Sequence, residues 1–309
     1  MGKPSAGGRA VRGALVALSL AAFCGPTLAQ GNPADVPITS VEVAPGLYVL
    51  QHPTSGNVGV SVGEDGIILV DDQIAPLSEK LKEALKKISD RPIRFLLNTH
   101  WHGDHTGGNE AFGKAGVVIV AHDNVRVRMS SEQVLEAFGR TVPASPPEAL
   151  PVVTFNDAVT FHVNGGEIHA YHVPPAHTDG DAVVEFRQAG AVHMGDLYFN
   201  GMYPFIDVSS GGSIDGVIAA ASRVLAGLDD DATVIPGHGP LSTKAELTAY
   251  RDMLQAARTR VARLIAAGKS ADEIVAEKPL ADYDEAWGKG FINPEQFLRI
   301  IYDSLTAKR

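Results

Sequence analysis

Two rhythms of apolar residues divide the chain. Short runs that alternate or stay continuously apolar, bounded by Gly, Pro and Asn, are the mark of strands. They fall at 41–51 and 58–62, around the turn Pro53-Thr54-Ser55-Gly56-Asn57, and again at 66–71, 93–97 and 117–121. Between them the spacing changes. Leu77, Leu81 and Leu85 recur every fourth residue and predict a helix over 77–88. Residues 109–114 read as a short helix, 124–138 as a longer one, and 142–151 as a proline-rich loop. The second half repeats the pattern. Strands at 152–155, 158–163, 167–172, 182–187 and 191–194 look like a meander, followed by a helix at 213–226 and a short strand at 233–235. From Lys244 onward the spacing is helical, over 245–267, 271–277 and 295–305. Leu254, Val261, Leu264 and Ile265 form a packing stripe there. Two strand-rich halves, each followed by helices, predict a layered α/β sandwich over 30–243, with a helical extension over 244–309 packed on it. No short-period repeat is present, so a solenoid is not expected.

The first residues follow neither rhythm. Lys3, Arg9 and Arg12 precede an apolar run over 14–24, too short for a bilayer that needs about 20 residues. Small residues at Thr27 and Ala29 then suit cleavage after Ala29. Residues 1–29 therefore read as a secretory signal peptide, and the mature chain as periplasmic or secreted, with no membrane attachment. Composition sharpens this picture. The full chain has 309 residues, one Cys, 11 His and a formal charge of −10. The one Cys, Cys24, would leave with the leader, so no disulfide and no thiol chemistry is expected. The leader carries basic residues and no acid, so the mature chain would be more acidic still, which argues against nucleic acid as a partner. A small-molecule substrate is expected instead, and the oligomeric state is not readable. At 45% hydrophobic and 20% charged, the chain is that of a folded globular protein.

Chemistry concentrates where the strand at 93–97 ends, in Asn98-Thr99-His100-Trp101-His102-Gly103-Asp104-His105-Thr106-Gly107-Gly108. In an extended segment, residues i and i+2 face one side. His100 and His102 thus aim at one point, and a turn at Gly103 re-aims Asp104 and His105 at a second. An all-nitrogen-and-oxygen donor set suits Zn²⁺, with iron or manganese as alternatives. Further candidates stand just past other strands: Asp71, His177, Asp196, and His238 in Pro236-Gly237-His238-Gly239.

These residues resemble the metallo-β-lactamase superfamily. Its HxHxDH signature is present as His100, His102, Asp104 and His105, and Asp71, His177, Asp196 and Pro236-Gly237-His238 follow in the family's order. The likeness covers about residues 40–239. It implies a four-layer αββα sandwich and two zinc ions per chain. By resemblance, His100, His102 and His177 hold one ion, Asp104, His105 and His238 hold the other, and Asp196 bridges them. Asp71 would orient ligands, with Asp72 as the competing choice. A bridging hydroxide would attack the substrate carbonyl, and Asp104 would also orient it, making Asp104 the candidate catalytic residue.

Other residues have blander readings. His193 and His172 are expected to be structural, His52, His122, His162 and His169 ordinary surface or core, and Asp179 and Asp181 caps of the turn after His177. Trp101 stands beside the motif, and Tyr198, Phe199, Met202, Tyr203 and Phe205 form an apolar cluster after Asp196. Trp101, Tyr198 and Tyr203 are candidates for a substrate pocket, with packing as the alternative for each.

Substrate class follows from departures within the resemblance. The best-known lactamases of the superfamily use Cys where this chain has Asp196, and a Lys three residues later where it has Phe199. Efficient β-lactamase activity is therefore not expected. A bridging Asp is similar to the arrangement in glyoxalase II-type thioesterases and acyl-homoserine lactonases. The reading is an exported hydrolase of a lactam, lactone, ester or thioester. The alternatives are a di-iron redox protein, for whose usual flavin domain the chain leaves no room, and a non-catalytic metal-binding partner.

Overall fold

In the computed structural model, residues 1–2 and 35–307 are described. Apart from Met1 and Gly2, the leader expected over 1–29 lies outside them. The described residues 35–307 belong to one compact unit. Its strands and helices run in the order β1 (Thr39–Ala44), β2 (Leu47–Gln51), β3 (Val58–Gly63), β4 (Gly66–Val70), α1 (Ser78–Ile88), β5 (Ile93–Leu97), α2 (Gly103–Thr106), α3 (Asn109–Lys114), β6 (Val118–His122) and α4 (Asp123–Met129). Next come β7 (Gln133–Leu135), β8 (Arg140–Val142), β9 (Val153–Phe155), β10 (Ala158–Val163), β11 (Gly166–His172), β12 (Ala182–Phe186) and β13 (Ala191–His193). The chain ends with α5 (Ile214–Gly227), β14 (Thr233–Ile235), β15 (Ser242–Thr243), α6 (Lys244–Ala266), α7 (Ala271–Glu277), α8 (Asp284–Trp287) and α9 (Pro294–Thr306).

Side-chain alternation builds four layers from two sheets. The first sheet is ordered β1-β2-β3-β4-β5-β6-β9 and the second β10-β11-β12-β13-β14-β15. Along β4, Ile68 and Val70 face the second sheet, while Ile67 and Leu69 face outward onto Leu81 and Leu85 of α1 and Phe112 of α3. Along β12, Val184 and Phe186 face the first sheet, while Val183 faces outward onto the cluster that holds α5, α6 and α9. The period of two along these strands thus divides their apolar residues among three cores. Each fully buried Leu, Val or Ile contributes about 1.5–3 kcal/mol. This is the αββα sandwich that the motif residues implied, with the C-terminal helices completing its outer layer.

The C-terminal helices begin where their caps dictate. Thr243/Glu246, Ser270/Glu273 and Asn293/Gln296 form reciprocal capping boxes on α6, α7 and α9, and Pro294 occupies the first turn of α9. No helix among the described residues is long and apolar enough to cross a membrane.

Three local expectations are corrected. The strand expected over 41–51 is a hairpin, β1 against β2, because the chain reverses at Gly46, whose φ of +75° suits glycine. The helix expected over 124–138 stops at Met129. Ser130 and Ser131 hydroxyls donate back to the carbonyls of Arg126 and Val127, and the chain turns into the β7–β8 hairpin, whose Leu135 and Val142 pack on the Trp101 cluster. The strand near 152–155 does not open the second meander. It pairs in parallel with β6 and closes the first sheet.

Candidate metal centre

The parallel strands bring their C-terminal ends to one edge of each sheet. β4 and β5 run parallel, as do β13 and β14, and the loops that leave them carry Asp71, the His100–His105 segment, Asp196 and His238. Two groups of ligand-type atoms result. His100, His102, His177 and Asp196 form one, and Asp104, His105, Asp196 and His238 the other, each within 4.8 Å. The switch between them is local. His100 and His102 lie in the extended approach, and the first turn of α2 swings Asp104 and His105 to the other side.

Asp196 belongs to both groups. Its Oδ2 lies 3.8 Å from His100 Nε2 and 3.5 Å from His177 Nε2, while its Oδ1 lies 3.0 Å from His105 Nε2 and 3.4 Å from His238 Nε2. Glycines allow this crowding. Gly195 has a φ of +50°, and any side chain at Gly237 would collide with the Asp196 carboxylate.

Partners behind the rings decide which nitrogen faces inward. His102 Nε2 donates to Asp207 Oδ2 at 3.0 Å, His177 Nδ1 donates to the Phe205 carbonyl at 2.9 Å, and His105 Nδ1 donates to Asp71 Oδ2 at 2.7 Å. Those acceptors hold the ring protons on the outer nitrogens, so the inner nitrogens present lone pairs. His177 Nε2 and His102 Nδ1 face each other at 2.9 Å, and both are acceptors in these tautomers. Buried His100 Nε2 and Asp196 Oδ1 have no hydrogen-bond partner among the described residues. Converging lone pairs and unmatched buried carboxylate oxygen fit cations, and the donor chemistry fits zinc.

The electrostatics agree with that fit. Burial pushes His100 well below the usual histidine range and His177 down to about 4, which keeps both rings neutral and ligand-ready. Burial also opposes charge on His105 and His238. The carboxylates of Asp196 and Asp104 overcome it, raising His105 well above its usual value and His238 to about 9. A field that holds protons there also favours a divalent cation in their place. Despite the burial of Asp196 and the partial desolvation of Asp104, both are held below the usual carboxylate range, first by His105.

Asp71 is a supporting residue at a strained backbone position, with a φ of +65°. Its carboxylate accepts from Thr99 N, Thr99 Oγ1 and His105 Nδ1, each at 2.7 Å. Asp72, the competing choice, instead accepts from Gly108 N. Asp207 was not singled out in the sequence. Its neighbours Ser209 and Ser210 mark an Asp-capped turn, a signal that does not say which histidine the carboxylate meets. Asn57 was also missed. Its amide donates to the carbonyls of Pro236 and Gly239 and so holds the His238 loop.

The pocket aromatics divide. Tyr198 is fully buried, packs on Tyr250 and bonds Asn200 and Ser242. Tyr203 stacks on Phe297 at 4.4 Å and donates to Asp284. Both take the packing alternative beneath the C-terminal helices, where their hydroxyls find partners. Trp101 lies 4.8 Å from the His102 ring but is buried in its own cluster under the β7–β8 hairpin. Phe199 and Phe205 are the members of the apolar cluster that reach the histidines. Phe199 stacks on His238 at 5.2 Å, and Phe205 lies 5.8 Å from both His102 and His177.

The histidines expected to be structural are bonded away from the two groups. His193 bridges the Asn57 carbonyl and Gly195 N, and His172 stacks on His122 at 3.8 Å. Asp181 caps the turn after His177 by accepting from His177 N and from Thr178, while Asp179 pairs with Arg128.

Comparison with known proteins places this geometry. The family model of the metallo-beta-lactamase superfamily matches residues 52–238, a span that contains all seven candidate ligands. The chain is 26% identical over 180 residues to a hydroxyacylglutathione hydrolase of Polaromonas sp. (strain JS666 / ATCC BAA-500). That overlap is 58% of this chain and 61% of the relative, so the chain spans about three fifths of the relative's length. Among solved structures it is similar to the sec-alkylsulfatase Pisa1 from Pseudomonas sp., with a TM-score of 0.68 and 18% identity over 88% of this chain and 51% of that one. It is also similar to a metallo-beta-lactamase from Pontibacter korlensis, with a TM-score of 0.58 and 20% identity over 71% of this chain and 99% of that one. At such identities these two likenesses concern the fold.

Proposed function

The chain belongs to the metallo-beta-lactamase superfamily, and from that premise we propose that it is an exported dinuclear zinc hydrolase of a carbonyl substrate, a lactam, lactone, ester or thioester. Members of the superfamily are generally metal-binding hydrolases of small molecules. The observation that carries the finer reading is the pair of donor groups joined by one carboxylate, Asp196. His100, His102 and His177 would hold one ion, and Asp104, His105 and His238 the other. When bound, the ions would supply Lewis acidity and an activated water.

The chain's own residues do the rest. Asp71 and Asp207 hold the His105 and His102 rings in their ligating orientation. Phe199 and Phe205 exclude bulk water from one side. Asp104 is part-exposed, with its carboxylate 3.1 Å from His238, and would orient the attacking water. No thiol is available in residues 30–309 and none is required. The likeness to a hydroxyacylglutathione hydrolase favours a thioester as the second, narrower reading. Phe199 in place of a carboxylate-binding Lys favours poor turnover of β-lactams.

The test is metal analysis of the purified 30–309 chain with a turnover screen over β-lactams, lactones, esters and thioesters. Two zinc ions per chain and turnover of one class are expected. Bound iron with no hydrolysis would overturn the reading. Export is tested separately by sequencing the N-terminus of protein from the periplasmic fraction. Gln30 is the expected first residue, and an uncut cytosolic chain would refute export.

A further inference from the structure

Three phenylalanines run outward from the histidines in unbroken contact. Phe205 packs on His102 and His177, the Phe138 ring lies 4.8 Å from Phe205, and the Phe291 ring lies 5.4 Å from Phe138. Exposure rises along the run: 6% at Phe205, 38% at Phe138 and 67% at Phe291. Phe138 and Phe291 are the two exposed phenylalanines among the described residues. A single exposed apolar residue is ordinary. A graded run that starts at a polar, ligand-rich centre and ends in solvent is not.

The rings come from three distant stretches, and each is anchored from behind. Phe205 follows Asp196 in the loop that leaves β13. Phe138 sits at the tip of the β7–β8 hairpin, where Gly139 adopts the left-handed conformation that closes the turn. Leu135 and Val142 tie the base of that hairpin to the Trp101 cluster. Phe291 lies between α8 and α9. Its loop is held to the Phe205 loop by the Tyr203 N–H donated to the Trp287 carbonyl at 2.8 Å, and by Gly290, which packs on Met202 without room for a side chain. Ile292, the next residue, is buried. The exposed rings therefore stand on fixed supports.

We propose that this run is the subsite for an extended alkyl or aryl group of the substrate, so that the preferred substrates carry a medium-length apolar chain on the carbonyl. The proposal rests on the hydrolase reading for the reacting end, and adds the chemistry of the other end. A two-carbon acyl group reaches only Phe205, which is already buried. A longer chain covers Phe138 and then Phe291, removing their exposed faces from water. Each methylene so buried improves affinity by up to about fourfold.

The test measures binding and turnover side by side on the zinc-loaded chain. Calorimetric titration with acetate, butyrate, octanoate and decanoate reads binding, and the matching 4-nitrophenyl esters read kcat/KM. Binding is expected to tighten at least tenfold from acetate to octanoate. Phe138→Ala and Phe291→Ala should each erase several-fold of that gain and leave acetate binding unchanged, and Phe291→Trp should retain it. Equal binding of all four carboxylates, or a length gain that survives both alanine variants, would overturn the subsite. So would a wild-type dimer that both variants make monomeric while the length gain persists, since a second copy would then be the occupant. Length-dependent binding with no turnover of these esters or of the lactams, lactones and thioesters of the wider screen would refute the hydrolase reading and leave the subsite standing. Turnover indifferent to chain length would do the reverse.

Discussion

The two donor groups share Asp196 but are built to different standards of closure. In the His100/His102/His177 group every imidazole is buried, and two of the three rings are tied from behind, His102 by Asp207 and His177 by the Phe205 carbonyl. In the other group His105 is tied by Asp71, while the Asp104 and His238 side chains remain 34% and 21% exposed. The first group is thus buried and oriented in advance, and the second is part-exposed. A position whose ligands are oriented in advance binds its ion more tightly than one whose ligands must be ordered on binding. Two positions with similar ligand types thus need not have similar affinity.

The largest effect should come from the residue both groups share. Asp196→Ala should lose both ions and more than about a hundredfold of activity, beyond what loss of a supporting partner costs. His238→Ala should instead lose one ion and keep the other. Metal content by mass spectrometry checks both, and two ions retained by His238→Ala would erase the asymmetry. Substitutions behind the rings come next. Asp207→Asn and Asp71→Asn keep the side-chain shape, and Asn tolerates the left-handed backbone at position 71. Each should lower metal affinity or activity by about 10–100-fold. Competition with a chelator should show Asp207→Asn weakening the closed group and Asp71→Asn the open one.

The smallest effect lies away from both groups and separates their pH behaviour from that of the scaffold. His122 and His172 stack, and burial, together with the adjacent His172 in the case of His122, lowers the pKa of each. The folded state therefore binds fewer protons than the unfolded chain. Their stability contribution is complete above the ordinary histidine value of about 6.5 and is lost as pH falls below it toward the lowered values. The melting temperature of metal-free protein should fall by a few degrees between pH 7.5 and 5.5, and less so in His172→Gln. An unchanged slope would assign the effect elsewhere.

Much of the site was legible because its chemistry is local. His100, His102, Asp104 and His105 lie within six residues, and the turn at Gly103 that splits them between two points is a short-range event. His177, Asp196 and His238 could be singled out because each follows a strand and sits among Gly or Pro. The supporting residues could not. Asp207 reads as an ordinary turn cap, and nothing in its neighbourhood names His102 as its partner 105 positions away. The choice between pocket and packing for Tyr198 and Tyr203 stays open in the sequence for the same reason: proximity to Asp196 in the chain does not say on which side of the loop a ring emerges.

The layers show the same division. Alternation along β4 and β12 and the fourfold spacing of Leu77, Leu81 and Leu85 are enough to specify elements and their buried faces, because a strand or helix imposes its own period on its residues. They are not enough to say what covers those faces. That β9 joins the first sheet, that 130–142 forms a hairpin instead of extending α4, and that Phe138 and Phe291 meet over Phe205 are results of long-range packing. Each depends on surfaces contributed by distant stretches of chain, whose complementarity has no period and leaves no local mark.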